Sequence, residues 1–176
     1  RADVSFPTIT VDDQWNEFDL TGIYRELGPK LSEIDEEFRI QYDEMRVEIK
    51  QNIGVTDAKV HRQWWPCDTK MVDAWISGAL SYGGETWKQF QERVCGCVSK
   101  LAGLPPRANV LVSTSATPTG VLTGLALGLT DGRVRQLAGV LYNSSFTTLR
   151  LRDERLQLFQ FNAVPHLTTP DLRTFR

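Results

Sequence analysis

Histidine and cysteine are scarce in this chain, and the few that occur are poorly placed for metal binding. The 176 residues include 2 histidines and 3 cysteines. An odd number of cysteines argues against a disulfide framework. Cys95 and Cys97 lie two positions apart on a predicted helix and therefore point to different faces, which makes them a poor metal pair. We expect free thiols in a reducing, cytoplasmic compartment, with no metal or other cofactor.

Strong charge and long apolar runs are also lacking, which excludes two classes of partner. The formal net charge of −2 offers no basic surface for nucleic acid or for an anionic membrane. No apolar run reaches the length that a membrane-spanning helix requires. The length suits a single domain with a sizeable core, and 41% apolar residues is an ordinary content for such a domain.

The most informative segment covers residues 109–122. Residues 110–112, Val-Leu-Val, are typical of a strand that is buried on both faces. Small, mostly hydroxyl-bearing residues follow at 113–117, and Pro118 suits the first position of an apolar helix. Free N–H groups and the helix dipole make such a strand–turn–helix junction a common anion site. Taken alone, such a segment is more often an ordinary strand-to-helix turn in a protein core than an anion site.

Periodicity predicts several helices and a hairpin on either side of this segment. The predicted helices run from Ser32 to about residue 53, over residues 68–79, and from Glu85 or Thr86 to Gly103, while residues 1–20 read as irregular. Alternating side chains predict hairpin strands at 146–152 and 156–161. The first 108 residues hold no convincing buried strand, although a strand at 110–112 needs parallel neighbours. The first strand of the expected sheet is thus missing from the pattern.

Five segments, in order, resemble those of the histidine phosphatase (phosphoglycerate mutase-like) superfamily. They are residues 15–19 (WNEFD), 84–94 (GETWKQFQERV), 109–120 (NVLVSTSATPTG), 143–145 (NSS), and 161–167 with its FN and PHL pieces. The resemblance implies an α/β fold, a three-layer sandwich with a central, mostly parallel sheet flanked by helices and C-terminal hairpin strands. It implies a single domain over residues 1–176 that is N-terminally incomplete.

The chain also departs from the family pattern at important positions. The Arg-His-Gly signature that supplies the nucleophilic histidine is absent from the sequence. The second family histidine aligns with Ser115, and the glycines after it align with Ala116 and Thr117. The arginine near the start of the family helix aligns with Gly120. Ser115 cannot replace the positive charge of a histidine, although its hydroxyl and the next two amides can still donate hydrogen bonds to phosphate.

The resemblance gives roles to a few other residues. Glu17 becomes the candidate proton donor, with Asp19 as its substitute if the register slips, and a solvated loop carboxylate is the alternative for Glu17. Ser115, Ala116 and Thr117 become the candidate phosphate-binding residues. His61 is expected to be a loop residue, and His166 matches a closing His-Leu pair that is more often structural than catalytic.

Two functions remain open at this stage. The family chemistry is hydrolysis of a phosphate monoester through a phosphohistidine, which the complete protein would perform and the chain as given would perform weakly or not at all. The alternative is a degenerate, non-catalytic member that binds a phosphorylated ligand or a protein partner, and Ser115 favours it. The expected ligand is a small phosphorylated substrate or inorganic phosphate. A homodimer in which a second copy completes the sheet edge is a third, weaker hypothesis.

Overall fold

The computed structural model of the protein describes residues 8–54, 64–153 and 155–174. Those residues form six α-helices and one two-stranded antiparallel sheet. The elements in chain order are α1 (Leu20–Ile34), α2 (Glu36–Gln51), α3 (Pro66–Ser77), α4 (Trp87–Ala102), α5 (Ala116–Leu127), α6 (Asp131–Ala138), β1 (Phe146–Arg152) and β2 (Arg155–Ala163). No helix in these ranges is long and apolar enough to cross a membrane.

The core is formed mainly by α1, α2, α3 and α4, joined by Val121 and Leu122 of α5 and Val134 of α6, and it is rich in aromatic rings. The Phe18 ring stacks on Trp75 with centroids 4.7 Å apart and meets Phe90 edge-on at 6.0 Å. Trp87 stacks on Phe90 with centroids 5.7 Å apart. Trp75, Trp87 and Phe90 are buried, and burying each such side chain contributes on the order of 1.5–3 kcal/mol. Phe18 therefore anchors the chain immediately before α1 to the centre of the molecule.

Local capping explains where the helices begin. Thr86 caps α4 in a capping box with Gln89, which confirms the predicted start at Glu85 or Thr86. The prediction of a continuous helix from Ser32 to about residue 53 was wrong, because Asp35 adopts an extended conformation and accepts a hydrogen bond from Phe38 N as the cap of α2.

Helix α1 was not predicted, because its sequence contains residues that usually interrupt helices. Pro29 lies inside the helix, and Gly28 precedes it. Gly28 allows α1 to approach α2 closely, since a Cβ at this position would lie 2.8 Å from the Tyr42 hydroxyl oxygen. The packing of α1 on α2 and α3 thus outweighs weak local helix propensity.

The predicted buried strand at residues 110–112 is not present in the structure. This segment belongs to no helix or strand, and no hydrogen bond joins residues 109–113 to another described residue. Val110 is 48% exposed and Leu111 84% exposed. A β-strand requires a neighbouring strand that forms backbone hydrogen bonds with it. In the described chain the two paired strands are β1 and β2, and neither pairs with residues 110–112. The central, mostly parallel sheet is accordingly not part of the described fold.

The C-terminal hairpin was predicted correctly. β1 has the predicted bounds and β2 extends the predicted strand by about one residue before it and two after it. The strands pair antiparallel, with irregular register between Phe146 and Leu149. Alternation of exposed and half-buried positions lets Leu149 and Leu156 pack on the core. The hairpin lies against α5.

Helices α5 and α6 pack closely through two glycines. A Cβ at position 120 would lie 3.1 Å from Cβ of Ala138 and 3.2 Å from the carbonyl oxygen of Val134, and a Cβ at position 124 would overlap Cγ2 of Val134. The glycines are one turn apart on the same helix face. Helix α6, which sequence periodicity left as a weakly patterned segment, therefore covers the face of α5 that carries Gly120 and Gly124.

Candidate functional site

Two of the predicted site components meet although they are far apart in sequence. The backbone N–H of Thr117 donates to Oε2 of Glu17 at 3.1 Å, across a separation of 100 residues. The other carboxylate oxygen, Oε1, accepts from the backbone N–H of Phe18 at 3.2 Å. Glu17 is half-buried. Its carboxyl group thus lies at the N-terminus of α5, beside backbone N–H groups that have no partner inside the helix.

Ser115 forms the cap position of α5 but does not cap the helix with its side chain. Its backbone is extended, and its carbonyl oxygen accepts hydrogen bonds from the backbone N–H and the hydroxyl of Thr119. The Ser115 Oγ atom is buried and has no hydrogen-bond partner among the described residues. The N–H of Ala116 likewise makes no hydrogen bond within them. One hydroxyl and one amide are therefore free beside the Glu17–Thr117 contact.

Pro118 occupies the third helical position instead of the predicted first one. Helix α5 begins at Ala116, so Pro118 is still within the first turn. The first four N–H groups of a helix have no partner inside the helix, so proline removes nothing at the third position either. Before the proline, Ala116 and Thr117 are therefore the two helical residues whose N–H groups could contact a bound anion.

The segment that carries Glu17 is held in place by Arg93 of α4. Its Nη1 donates to the carbonyl oxygens of Gln14 at 2.7 Å and Asn16 at 3.1 Å. Its Nε and Nη2 donate to the two oxygens of Glu85 at 2.6 and 2.9 Å. The hydrogen bonds that Arg93 donates to Glu85 are the largest cause that raises the pKa of Arg93, and the negative charges of Glu85 and Glu17 add to it. Arg93 lies in the segment at 84–94 that resembles the family, but the sequence pattern indicates no role for it.

Residues 44–164 match the family model described as histidine phosphatase superfamily (branch 1). The chain belongs to the histidine phosphatase superfamily. No curated protein and no solved structure matches it. The matched range contains Arg93 and the start of α5, while Glu17 lies before it.

Gly120 distinguishes this histidine phosphatase superfamily member from the pattern the resemblance implies. Position 120 is buried against α6, between Ala138 and Val134. A long cationic side chain has no space there without separating the two helices. With serine at position 115 and glycine at position 120, the start of α5 in this superfamily member carries no positively charged side chain.

The remaining candidates lie in structural settings. Asp19 caps α1 by accepting a hydrogen bond from Gly22 N at 2.9 Å. His166 is exposed and meets the Phe146 ring edge-on, with centroids 5.3 Å apart, at the end of the hairpin. His61 lies outside the described residues. Within the described ranges of this superfamily member, no group of three or more histidine, cysteine or acidic residues could hold a metal ion.

Proposed function

We propose that this histidine phosphatase superfamily domain hydrolyses phosphate monoesters, with Glu17 as the proton donor and a nucleophilic histidine from outside residues 1–176. The observation that supports this most strongly is the 3.1 Å contact between Glu17 Oε2 and Thr117 N. It brings a carboxyl group to the same helix N-terminus that offers a free amide and a buried hydroxyl. An acid beside a phosphate-binding turn is what leaving-group protonation requires.

The proposed reaction has two steps. A histidine nitrogen attacks phosphorus and the ester oxygen departs with the bonding electrons, taking a proton from the Glu17 carboxyl group. Water then attacks the phosphohistidine, releasing inorganic phosphate and the free histidine, while the Glu17 carboxylate accepts a proton from that water. Ser115 Oγ and the N–H groups of Ala116 and Thr117 would donate hydrogen bonds to phosphate oxygens. The Thr117 N–H would then bond to phosphate in place of Glu17 Oε2, or to both.

We place residues 109–113 in a central, mostly parallel sheet whose neighbouring strand comes from outside residues 1–176. The support is that these residues make no hydrogen bond in the described chain, and that Val110 and Leu111 are exposed. Apolar side chains on an unpaired strand are typical of a surface that another strand covers. Protection of the amides at 110–112 from hydrogen exchange in a longer gene product would support this placement, and fast exchange would contradict it.

The catalytic proposal is tested by release of inorganic phosphate from an alkyl phosphate such as glycerol phosphate, because an alkoxide leaving group must be protonated as it departs. Residues 1–176 are compared with the longest product that the gene encodes around them. We expect turnover only in the longer product, and a fall in kcat of roughly 10²–10⁴-fold in its Glu17→Gln variant. Glu92→Gln is the matched control, because Glu92 is an exposed carboxylate of α4 that lies 3.9 Å from Lys88 and away from the site. Full turnover by residues 1–176 alone would contradict the need for an outside histidine.

A second candidate function is binding of a phosphorylated ligand or partner without catalysis. Two observations favour it, the serine at position 115 and the absence of space for an arginine at position 120. Without either cation, the stabilisation of a phosphoryl transition state is weaker, typically by ~10²–10³-fold for each lost donor. Titration of the longer product with inorganic phosphate, followed by ³¹P NMR, distinguishes the two. Binding with no turnover supports the second candidate.

A cytoplasmic setting is part of the same proposal. Cys67, Cys95 and Cys97 are all free thiols, and Cys67 and Cys97 are buried. Free cysteines are usual where glutathione keeps thiols reduced. Fluorescence microscopy of the tagged longer product in its native cell would test the compartment.

A further inference from the structure

Residues 14–17, which we call the acid loop, are held from two sides by side chains that bond to their backbone carbonyl groups. On one side, Arg93 Nη1 donates to the carbonyl oxygens of Gln14 and Asn16. On the other, the Thr114 hydroxyl donates to the carbonyl oxygen of Trp15 at 2.6 Å. Three consecutive carbonyl groups immediately before Glu17 are therefore fixed. The backbone cannot move at Glu17 without breaking at least one of these contacts.

Arg93 is itself rigidly held. Its fork-like contact with both oxygens of Glu85 uses two donors, and its guanidinium lies 4.9 Å from the centre of the Phe90 ring. The Arg93 side chain is only 21% exposed. A planar guanidinium in this setting loses little further freedom when it binds the acid loop, unlike a lysine, whose single ammonium group cannot reproduce the fork.

Phe18 fixes the other end of the acid loop. Its ring stacks on Trp75 and touches Phe90, the same ring that lies under Arg93. Glu17 thus lies between a residue whose carbonyl is bound and a residue whose ring is anchored in the core. The Glu17 side chain is the part of the acid loop that contacts the first turn of α5, at the N–H of Thr117.

We infer that Arg93, assisted by Thr114, is a positioning residue that holds the acid loop so that the Glu17 carboxylate reaches the N-terminus of α5. The effect on catalysis rests on the proposed function. The geometric content, that the Glu17–Thr117 contact depends on Arg93 and Thr114, does not. Arg93 acts through the backbone of the acid loop and touches neither Glu17 Oε2 nor Thr117. A purely structural role, in which the Glu85 pair merely steadies α4, would leave the Glu17–Thr117 contact intact in any variant that folds.

Hydrogen exchange of the Thr117 amide in residues 1–176 tests the geometric content directly. First-turn amides of a helix have no partner inside the helix, so protection at Thr117 reports its bond to Glu17. The variant Glu17→Ala sets the unprotected rate. We expect Arg93→Met and Thr114→Val to move Thr117 exchange towards that rate, while the Val94 amide in the middle of α4 keeps its protection.

Arg135→Met is the matched control, because Arg135 pairs with Asp73 at 2.6 Å between α6 and α3 and does not contact the acid loop. Thr117 exchange should be unchanged in that variant. If Arg93→Met does not fold, Arg93→Lys and the near-isosteric Thr114→Val decide the question. Wild-type Thr117 protection in the folded Arg93 variant and in Thr114→Val would overturn the inference.

An activity measurement separates this inference from the proposed function. In the longer gene product, Arg93→Lys should lower kcat by ~10²-fold with little change in KM, because a displaced acid affects the chemical step more than substrate binding. An unchanged kcat in an active product would overturn the catalytic consequence. If the wild-type longer product is itself inactive, the proposed function fails, whereas the Thr117 exchange experiment still decides whether Arg93 positions the acid loop.

Discussion

Gly124 of α5 faces Val134 of α6 so closely that a Cβ at position 124 would overlap Cγ2 of Val134. Both residues are buried, and valine has a stiff, branched side chain that cannot rotate away easily. The approach of the two helices therefore depends on glycine at this position. Since α5 also carries the candidate phosphate-binding turn, this contact helps to hold that turn against the rest of the molecule.

Gly124→Ala should destabilise the fold despite the better helix propensity of alanine. Overpacking a dense core costs about 1–3 kcal/mol, and the propensity gain offsets up to about 1 kcal/mol. We expect a net loss of about 1 kcal/mol in the free energy of unfolding, measured by urea denaturation. Gly96→Ala is the control, because nothing lies within 4 Å of a Cβ at that interior position of α4. It should stabilise the protein by about 0.5–1 kcal/mol.

Val134→Ala should suppress the cost of Gly124→Ala, because it removes the methyl group that a Cβ would meet. The double variant is then more stable than the sum of the two single changes predicts. If Gly124→Ala and Gly96→Ala raise the free energy of unfolding by the same amount, the helices can separate without cost and the α5–α6 contact does not require glycine.

The three cysteines should react slowly with a thiol reagent in the native state. Burial raises the thiol pKa of Cys67, Cys95 and Cys97, so the reactive thiolate is scarce at pH 7. Cys95 is half-buried whereas the other two are buried, and it should react first. The measurement is the release of thionitrobenzoate from Ellman's reagent at pH 7. All three thiols should react rapidly in concentrated urea, and fast native-state reaction of Cys67 would contradict its buried position.

Asp35 should contribute to stability at neutral pH and lose that contribution in acid. Hydrogen bonding to Lys70, followed by the bond from Phe38 N, lowers the pKa of Asp35 below its usual value. A carboxyl group with a lowered folded-state pKa stabilises the fold above the unfolded-state value of about 3.9, and this effect is lost as the pH falls through the lower folded-state value.

Asp35→Asn should therefore lower the urea midpoint at pH 7 and reduce the fall in that midpoint between neutral and strongly acidic pH. Asp43→Asn is the comparison, because Asp43 lies on the exposed side of α2 at 3.9 Å from Arg39 and 3.8 Å from Arg46. It should change both quantities little, since loosely paired surface charges contribute little. An unaltered pH dependence in Asp35→Asn would argue against the Lys70 contact in solution.

Sequence reasoning succeeded where a few neighbouring residues settle the structure. The Thr86–Gln89 capping box marks the start of α4, and alternating side chains mark β1, because both signals act within a few residues. It failed at α1, whose Pro29 and glycines conceal a helix that packing stabilises. It also failed at residues 110–112, where an apolar run indicated a strand although no partner lies beside it in the described chain.

The candidate site shows the same division. Glu17 and residues 115–117 were proposed as candidates from short sequence segments that resemble those of the family. Their approach across 100 residues, and the Arg93 contacts that hold the acid loop, depend on how α4 and α5 lie in the folded molecule. The sequence alone therefore established the family resemblance, the aromatic and apolar content of the core and the identity of the candidate groups. The distance between those groups and the exclusion of an arginine at position 120 follow from long-range packing, which local patterns do not encode.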